Sequence, residues 1–251
     1  MISLMQTSMT FATDNRLPEI LARMEQLAPE SRTRVTDPLS QLVFAVVSDG
    51  AAPAVGLAVY NRLRATCPRW SDLRDASGET LQRVLVGTPG AAAKAEALPA
   101  IIRTIEAERS LIELDFLRRM TTEAAGRWLE RLPGVTSGIA AAVLSFSDLR
   151  RPVMSVDQRA ARPVRRLGLA PASAPLSALP RHVAERSPSA WGPDEFAGLA
   201  RGFAKIARTV CHDGKPDCGA CALRDLCPSA GQRTAEVVTF PGGPARTRRA
   251  A

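Results

Sequence analysis

The stretch Cys211-His-Asp-Gly-Lys-Pro-Asp-Cys218-Gly-Ala-Cys221-Ala-Leu-Arg-Asp-Leu-Cys227 holds four of the chain's five cysteines, spaced Cys-x6-Cys-x2-Cys-x5-Cys. A disulfide framework is normally spread along a shorter, secreted chain. Four thiols gathered in one loop point instead to a metal site in a reducing compartment. Zinc ribbons set two Cys-x2-Cys knuckles far apart, whereas here one such pair lies between outer spacings of six and five. A compact four-cysteine loop suits a cubane [4Fe–4S] cluster better, with Cys211, Cys218, Cys221 and Cys227 as its ligands. A zinc knuckle or free thiols are the plainer alternatives. The four cysteines complete a ligand set without His212, and Lys215 and Arg224 would offset a cluster's negative charge. Cys67 stands apart and reads as a small buried hydrophobe at a helix end.

Upstream of this loop, most of the chain reads as helix. Segments are expected at residues 17–27, 38–47, 55–67, 79–85, 91–105, 116–132, 139–146, 177–185 and 194–210. Leu39, Leu42, Val43 and Val46 recur at helical spacing. Asp37-Pro38 is an N-cap followed by a first-turn proline, and Thr121-Thr122-Glu123 is a second start signal. Without a series of alternating strands, the fold class is all-α. Ala170–Pro175 reads as a surface loop, and the Arg-, Gly- and Pro-rich residues 229–251 as a flexible basic tail.

The balance of 33 basic against 25 acidic residues gives a net charge of +8, which favours a polyanionic partner. Only Lys94, Lys205 and Lys215 are lysines. The rest of the excess is guanidinium, whose planar fork matches phosphate. There is no apolar run long enough for a membrane span, and Met1–Arg16 does not read as a signal peptide.

Two further motifs stand between the helices. Leu132-Pro-Gly-Val-Thr-Ser-Gly-Ile-Ala140 is a tight turn between two helices, presenting backbone N–H groups at a helix N-terminus. A phosphate can bind there without sequence selection. Ser155-Val156-Asp157-Gln158-Arg159 follows, with Arg162, Arg165 and Arg166 beyond it. Asp157 is suited to N-cap a helix, which would also fix its carboxylate in direction.

Together the motifs resemble the endonuclease III family of helix-hairpin-helix DNA glycosylases. The cysteine loop is similar to that family's iron–sulfur loop, and residues 132–140 resemble its Leu-Pro-Gly-Val-Gly-x-Lys-Thr-Ala hairpin. Residues 155–159 resemble the segment that carries its catalytic aspartate. The likeness spans roughly Pro38 to Cys227 and includes the first barrel helix and the Lys94-Ala95-Glu96 run, which fits the helix after the family's DNA-wedging loop. It implies two helical lobes with a DNA-binding cleft between them. One is a helical barrel module over residues 32–150. The other is a cluster module of residues 1–31 and 151–228. Asp157 would be the catalytic carboxylate. Gly134, Val135, Thr136, Ser137, Gly138, Arg159, Arg162 and Lys215 would meet the DNA backbone. The implied setting is a cytoplasmic, nucleoid-associated monomer of bacterial type, acting on double-stranded DNA with a damaged or mismatched base.

The chain departs from the family at four places. The lysine nucleophile of lyase-competent members falls at Gly138, which has no amine to form a Schiff base. Monofunctional base hydrolysis is the expected activity, with a non-catalytic iron–sulfur DNA-binding protein as the alternative. Thr136 replaces a glycine and would be strained if that position needs positive φ. The glutamine that fills the gap left by an extruded base is replaced by Asp49-Gly50, and Asp49 is expected to point into the base pocket. The wedge loop Gly87–Ala93 lacks a large apolar side chain, and with only 11 aromatics (3 Trp, 1 Tyr, 7 Phe) in the chain, stacking on an extruded base is poorly provided for.

Overall fold

The computed structural model describes residues 13–29 and 37–230; the expected basic tail lies outside them from residue 231 onward. Among the described residues the fold is all-α, with eleven helices. These are α1 (Leu17–Leu27), α2 (Pro38–Ser48), α3 (Pro53–Thr66), α4 (Trp70–Asp75), α5 (Gly78–Val84), α6 (Ala91–Arg109), α7 (Thr122–Glu130), α8 (Ser137–Phe146), α9 (Ala161–Arg166), α10 (Leu179–Ala184) and α11 (Pro193–Thr209). None of them is long and apolar enough to cross a membrane.

Local chemistry sets the boundaries. The Asp37 carboxylate accepts from the Ser40 N–H and starts α2. Thr121 does the same for α7 through the Ala124 N–H. That cap divides the segment expected as one helix over 116–132 into a 3-10 turn at Asp115–Arg119 and a separate α7. The short helix α4 was not anticipated. At its start the Asp72 carboxylate accepts from the Arg69 N–H at 2.9 Å and pairs with the Arg69 guanidinium.

Burial divides the helices between two hydrophobic cores. One runs from Leu39 to Leu149 and gathers α2 to α8. The other joins Leu17, Ile20, Leu21 and Met24 of α1 to residues between Met154 and Leu223. The N-terminal helix thus packs with the C-terminal part of the chain. The reason is on α11, where Gly198 and Gly202 face α1. A Cβ at Gly202 would come within 2.4 Å of the Met24 side chain, and one at Gly198 within 2.9 Å of Leu21. The two backbones approach that closely only because both residues lack side chains.

Arg16 and Arg23 extend this clamp to the cysteine loop. Arg16 donates to the carbonyls of Leu226 and Leu167. Arg23 donates to the Ala222 carbonyl and pairs with Asp225. The stretch 170–175, expected at the surface, is pinned at both ends by buried Ala170 and Ala174, with Arg165 donating to the Ala174 carbonyl. The cysteine loop is therefore braced from the far end of the sequence.

Candidate active site

The hairpin turns at Gly134, whose φ of +71 suits a residue without a side chain. The Val135 N–H closes the turn on the Leu132 carbonyl at 3.1 Å. Thr136 has φ −85, an ordinary extended value, so the strain considered for that position does not arise. Its hydroxyl caps α8 by accepting from the Ile139 N–H at 3.3 Å. Ser137 and Gly138 are the first residues of α8. Their N–H groups have no acceptor within the helix, as at any helix start.

Across from this start runs the Ser155–Asp157 segment. Ser155 Oγ donates to the Gly138 carbonyl at 2.9 Å and latches the two together. The approach is so close that a Cβ at Gly138 would lie 2.8 Å from the Val156 carbonyl oxygen. Asp157 accepts from the Ala160 N–H at 2.6 Å, which fixes its carboxylate at the turn into α9.

Both elements open on one cavity of about 410 Å³. Asp157, Gly138 and Thr136 form one wall, and Asp49 and Gly50 from the C-terminus of α2 form another. Phe44 and Phe146 supply aromatic surface. Asp49, expected in a base pocket, is among the residues that line this space. Two cleft residues have no signal in the sequence. Ser48 Oγ is buried on the α2 side with no protein hydrogen-bond partner. Arg208, at the end of α11, also lines the cavity. Burial pulls the Arg208 guanidinium down from its usual range, neighbouring Asp157 partly restores it, and Arg159 adds like-charge repulsion.

The basic residues fall into different classes. Arg159 and Lys215 are exposed. Arg162, expected to meet DNA, is part-buried and bonded to groups of the protein itself. Its guanidinium donates to the carbonyls of Cys211 and Ala207 and pairs with Asp213. These bonds use most of its donors, so Arg162 braces the cysteine loop. Lys94 is likewise structural. Its ammonium is buried and donates to the carbonyls of Val47, at 3.0 Å, and Asp49, at 2.7 Å. Burial lowers its pKa. Lys94→Met leaves those two carbonyls at the end of α2 unpaired and is expected to cost about 1–3 kcal/mol. A thermal melt should show a loss of roughly 2–12 °C. An unchanged melting temperature would mean that the loop at Asp49-Gly50 does not depend on this cap.

Just before the wedge loop, Val86 stands 65% exposed, with its carbonyl held by Arg62 at 2.8 Å. The loop itself contributes no large side chain, as its sequence indicated.

The four loop cysteines line a second cavity, of about 230 Å³, together with Arg166 and Arg224. Arg166 donates to Cys211 Sγ at 3.3 Å. Burial raises the Cys221 and Cys227 thiols, and the neighbouring sulfurs add to the effect. Among the described residues no three His, Cys, Asp or Glu side chains converge on a single-ion position. The sulfurs instead surround a space far larger than the roughly 10–15 Å³ one water needs.

No family model and no curated protein matches this chain. Solved structures do. A non-covalent endonuclease III–DNA complex superposes with a TM-score of 0.69 at 20% identity, over 88% of this chain and 97% of that one. The chain has the fold of the endonuclease III-like helix-hairpin-helix DNA glycosylases. A thermostable thymine-DNA glycosylase gives 0.65 at 15% identity, over 85% and 95% of the two chains. A 3-methyladenine DNA glycosylase from H. pylori, bound to 1,N6-ethenoadenine, gives 0.60 at 13% identity, over 76% and 95%. In this glycosylase fold the hairpin, Asp157 and the α2 terminus share one cleft, bordered by helices from both cores.

Proposed function

We propose that the chain is a monofunctional DNA N-glycosylase of base excision repair. It acts on double-stranded DNA carrying a damaged or mismatched base. The observation that carries this reading is the meeting of Asp157, the hairpin at the start of α8 and a cavity of about 410 Å³ at one place, with Gly138 closed off by the Val156 carbonyl.

The residues suggest a division of labour. The N–H groups at the start of α8 hold a backbone phosphate, and Arg159 and Lys215 add exposed positive charge. The extruded nucleotide enters the cavity, where Phe44 and Phe146 offer ring surface and Asp49 offers a polar contact to the base. The C1′–N bond breaks with its electron pair leaving on the base. Asp157 stabilises the positive charge that develops at C1′ and accepts a proton from the attacking water, whose oxygen bonds to C1′. No side-chain amine takes part, so the product is an abasic site in an unbroken strand.

Cys211, Cys218, Cys221 and Cys227 fit a [4Fe–4S] cluster. They are four soft donors around one cavity, with Arg166 beside Cys211 to offset charge. When bound, the cluster would cross-link the loop and hold it in shape, taking no part in base release.

One observation favours a non-catalytic DNA-binding role instead. The wedge loop and Gly50 supply no large side chain to hold the duplex open once a base has left. A single experiment separates the readings. The purified protein is analysed for iron and acid-labile sulfide. It is then incubated with duplexes carrying uracil, thymine mismatches, oxidised and alkylated bases, with and without alkali. Release of one base class, with strand breaks only after alkali, is the expected result. Binding without release would establish the non-catalytic role, and strand breaks without alkali would point to a lyase. A zinc-loaded protein without sulfide would remove the cluster assignment.

A further inference from the structure

Beside the cleft lies a smaller cavity of about 270 Å³, formed by Arg159, Arg162, Ala207, Arg208, His212 and Asp213. Arg208 lines both this notch and the larger cleft. The charges in the notch are unbalanced. Asp213 is its only acidic residue and is paired with Arg162, leaving Arg159 and Arg208 without an ion-pair partner among the described residues. Asp157 is near enough to influence Arg208 but makes no salt bridge with it. Two neighbouring guanidiniums repel each other, and a bound anion would relieve that repulsion.

We infer that Arg208, with Arg159, forms a binding site for one DNA phosphodiester adjacent to the extruded nucleotide. This inference rests on the DNA reading above. The phosphodiester is the anion this geometry suits. It carries one negative charge, its oxygens match the guanidinium fork, and it is covalently one step from the sugar that Asp157 faces. Arg208 joins the two spaces, so a phosphate in the notch and a sugar in the cleft would belong to one nucleotide unit. The notch also takes in His212 and Asp213 of the cysteine loop, so the site holds the strand where that loop meets the cleft. Arg208 is thus a positioning residue that sets the sugar against Asp157.

The test is a salt titration of binding to a duplex carrying a tetrahydrofuran abasic analogue, followed by fluorescence anisotropy. Losing one phosphate contact lowers the slope of log K against log salt by about 0.9. Arg208→Ala is expected to show that decrease, and Arg208→Lys to keep the wild-type slope. Arg159→Ala, at an exposed side chain that cannot disturb the core, should lower the slope as well. A walk of single neutral methylphosphonate linkages along the strand should then find one position, next to the analogue, at which wild type and Arg208→Ala bind equally. Unchanged slopes in both alanine variants, or no such position, would overturn the phosphate site while leaving DNA binding intact. Failure of the wild-type protein to bind any duplex would instead remove the DNA reading itself, and the notch with it.

Discussion

Asp157→Asn is expected to lower base release by roughly 100- to 10,000-fold while leaving the melting temperature and the affinity for an abasic-analogue duplex close to wild type. The structural side of this expectation follows from one bond. Asp157 Oδ1 accepts from the Ala160 N–H at 2.6 Å, and an asparagine carbonyl oxygen makes the same bond. Asn and Asp are nearly equivalent at such caps, so the turn into α9 survives the change. The loss is chemical. An amide neither takes a proton from water nor carries the negative charge that faces C1′. Single-turnover base release, binding anisotropy and a thermal melt, run on the same preparation, check all three parts. Base release at the wild-type rate would remove Asp157 from its role. A collapse of the melting temperature would make its main role that of a cap.

Gly138→Lys, which restores the residue of lyase-competent relatives, is expected to fail as a gain of function and to destabilise the protein by about 1–3 kcal/mol. The reason is the backbone. Even the first side-chain atom at residue 138 would stand 2.8 Å from the Val156 carbonyl oxygen, and main chain cannot swing aside as a flexible side chain can. The Ser155–Gly138 latch holds this segment in place, and Val156 is followed directly by Asp157. Making room for lysine therefore disturbs the aspartate as well. The expected result is a melting temperature lower by roughly 2–12 °C, reduced base release and no borohydride-trapped adduct with abasic DNA. A stable variant that traps covalently would show that the segment gives way easily and that a lysine at residue 138 is sufficient for lyase chemistry.

Much of the site was legible in the sequence because its parts are local. The cysteine spacing, the Leu132–Ala140 hairpin and the Asp157 segment are each set by neighbours a few residues apart, and the structure places hairpin and aspartate on one cleft. Arg208 was not legible. It is an ordinary arginine on an amphipathic helix, and only the packing of α11 against α1, permitted by Gly198 and Gly202, carries it to the cleft wall. The bracing bonds of Arg162 were hidden for the converse reason. Its partners, the carbonyls of Cys211 and Ala207, lie 49 and 45 residues away and leave no mark near it in the sequence. Lys94 was read simply as part of a helix, yet it caps a helix end 45 to 47 residues earlier.

By itself, then, the sequence determined the all-helical class, the turn at Gly134, the four-thiol loop and the absence of an amine at residue 138, because these depend on residue type and short-range spacing. Only the tertiary structure decided which arginines face the cleft and which brace the protein, that Thr136 caps a helix without strain, and that the space at Gly138 is closed. Those outcomes depend on how close two distant stretches of backbone come, and that distance is set by packing across the whole fold.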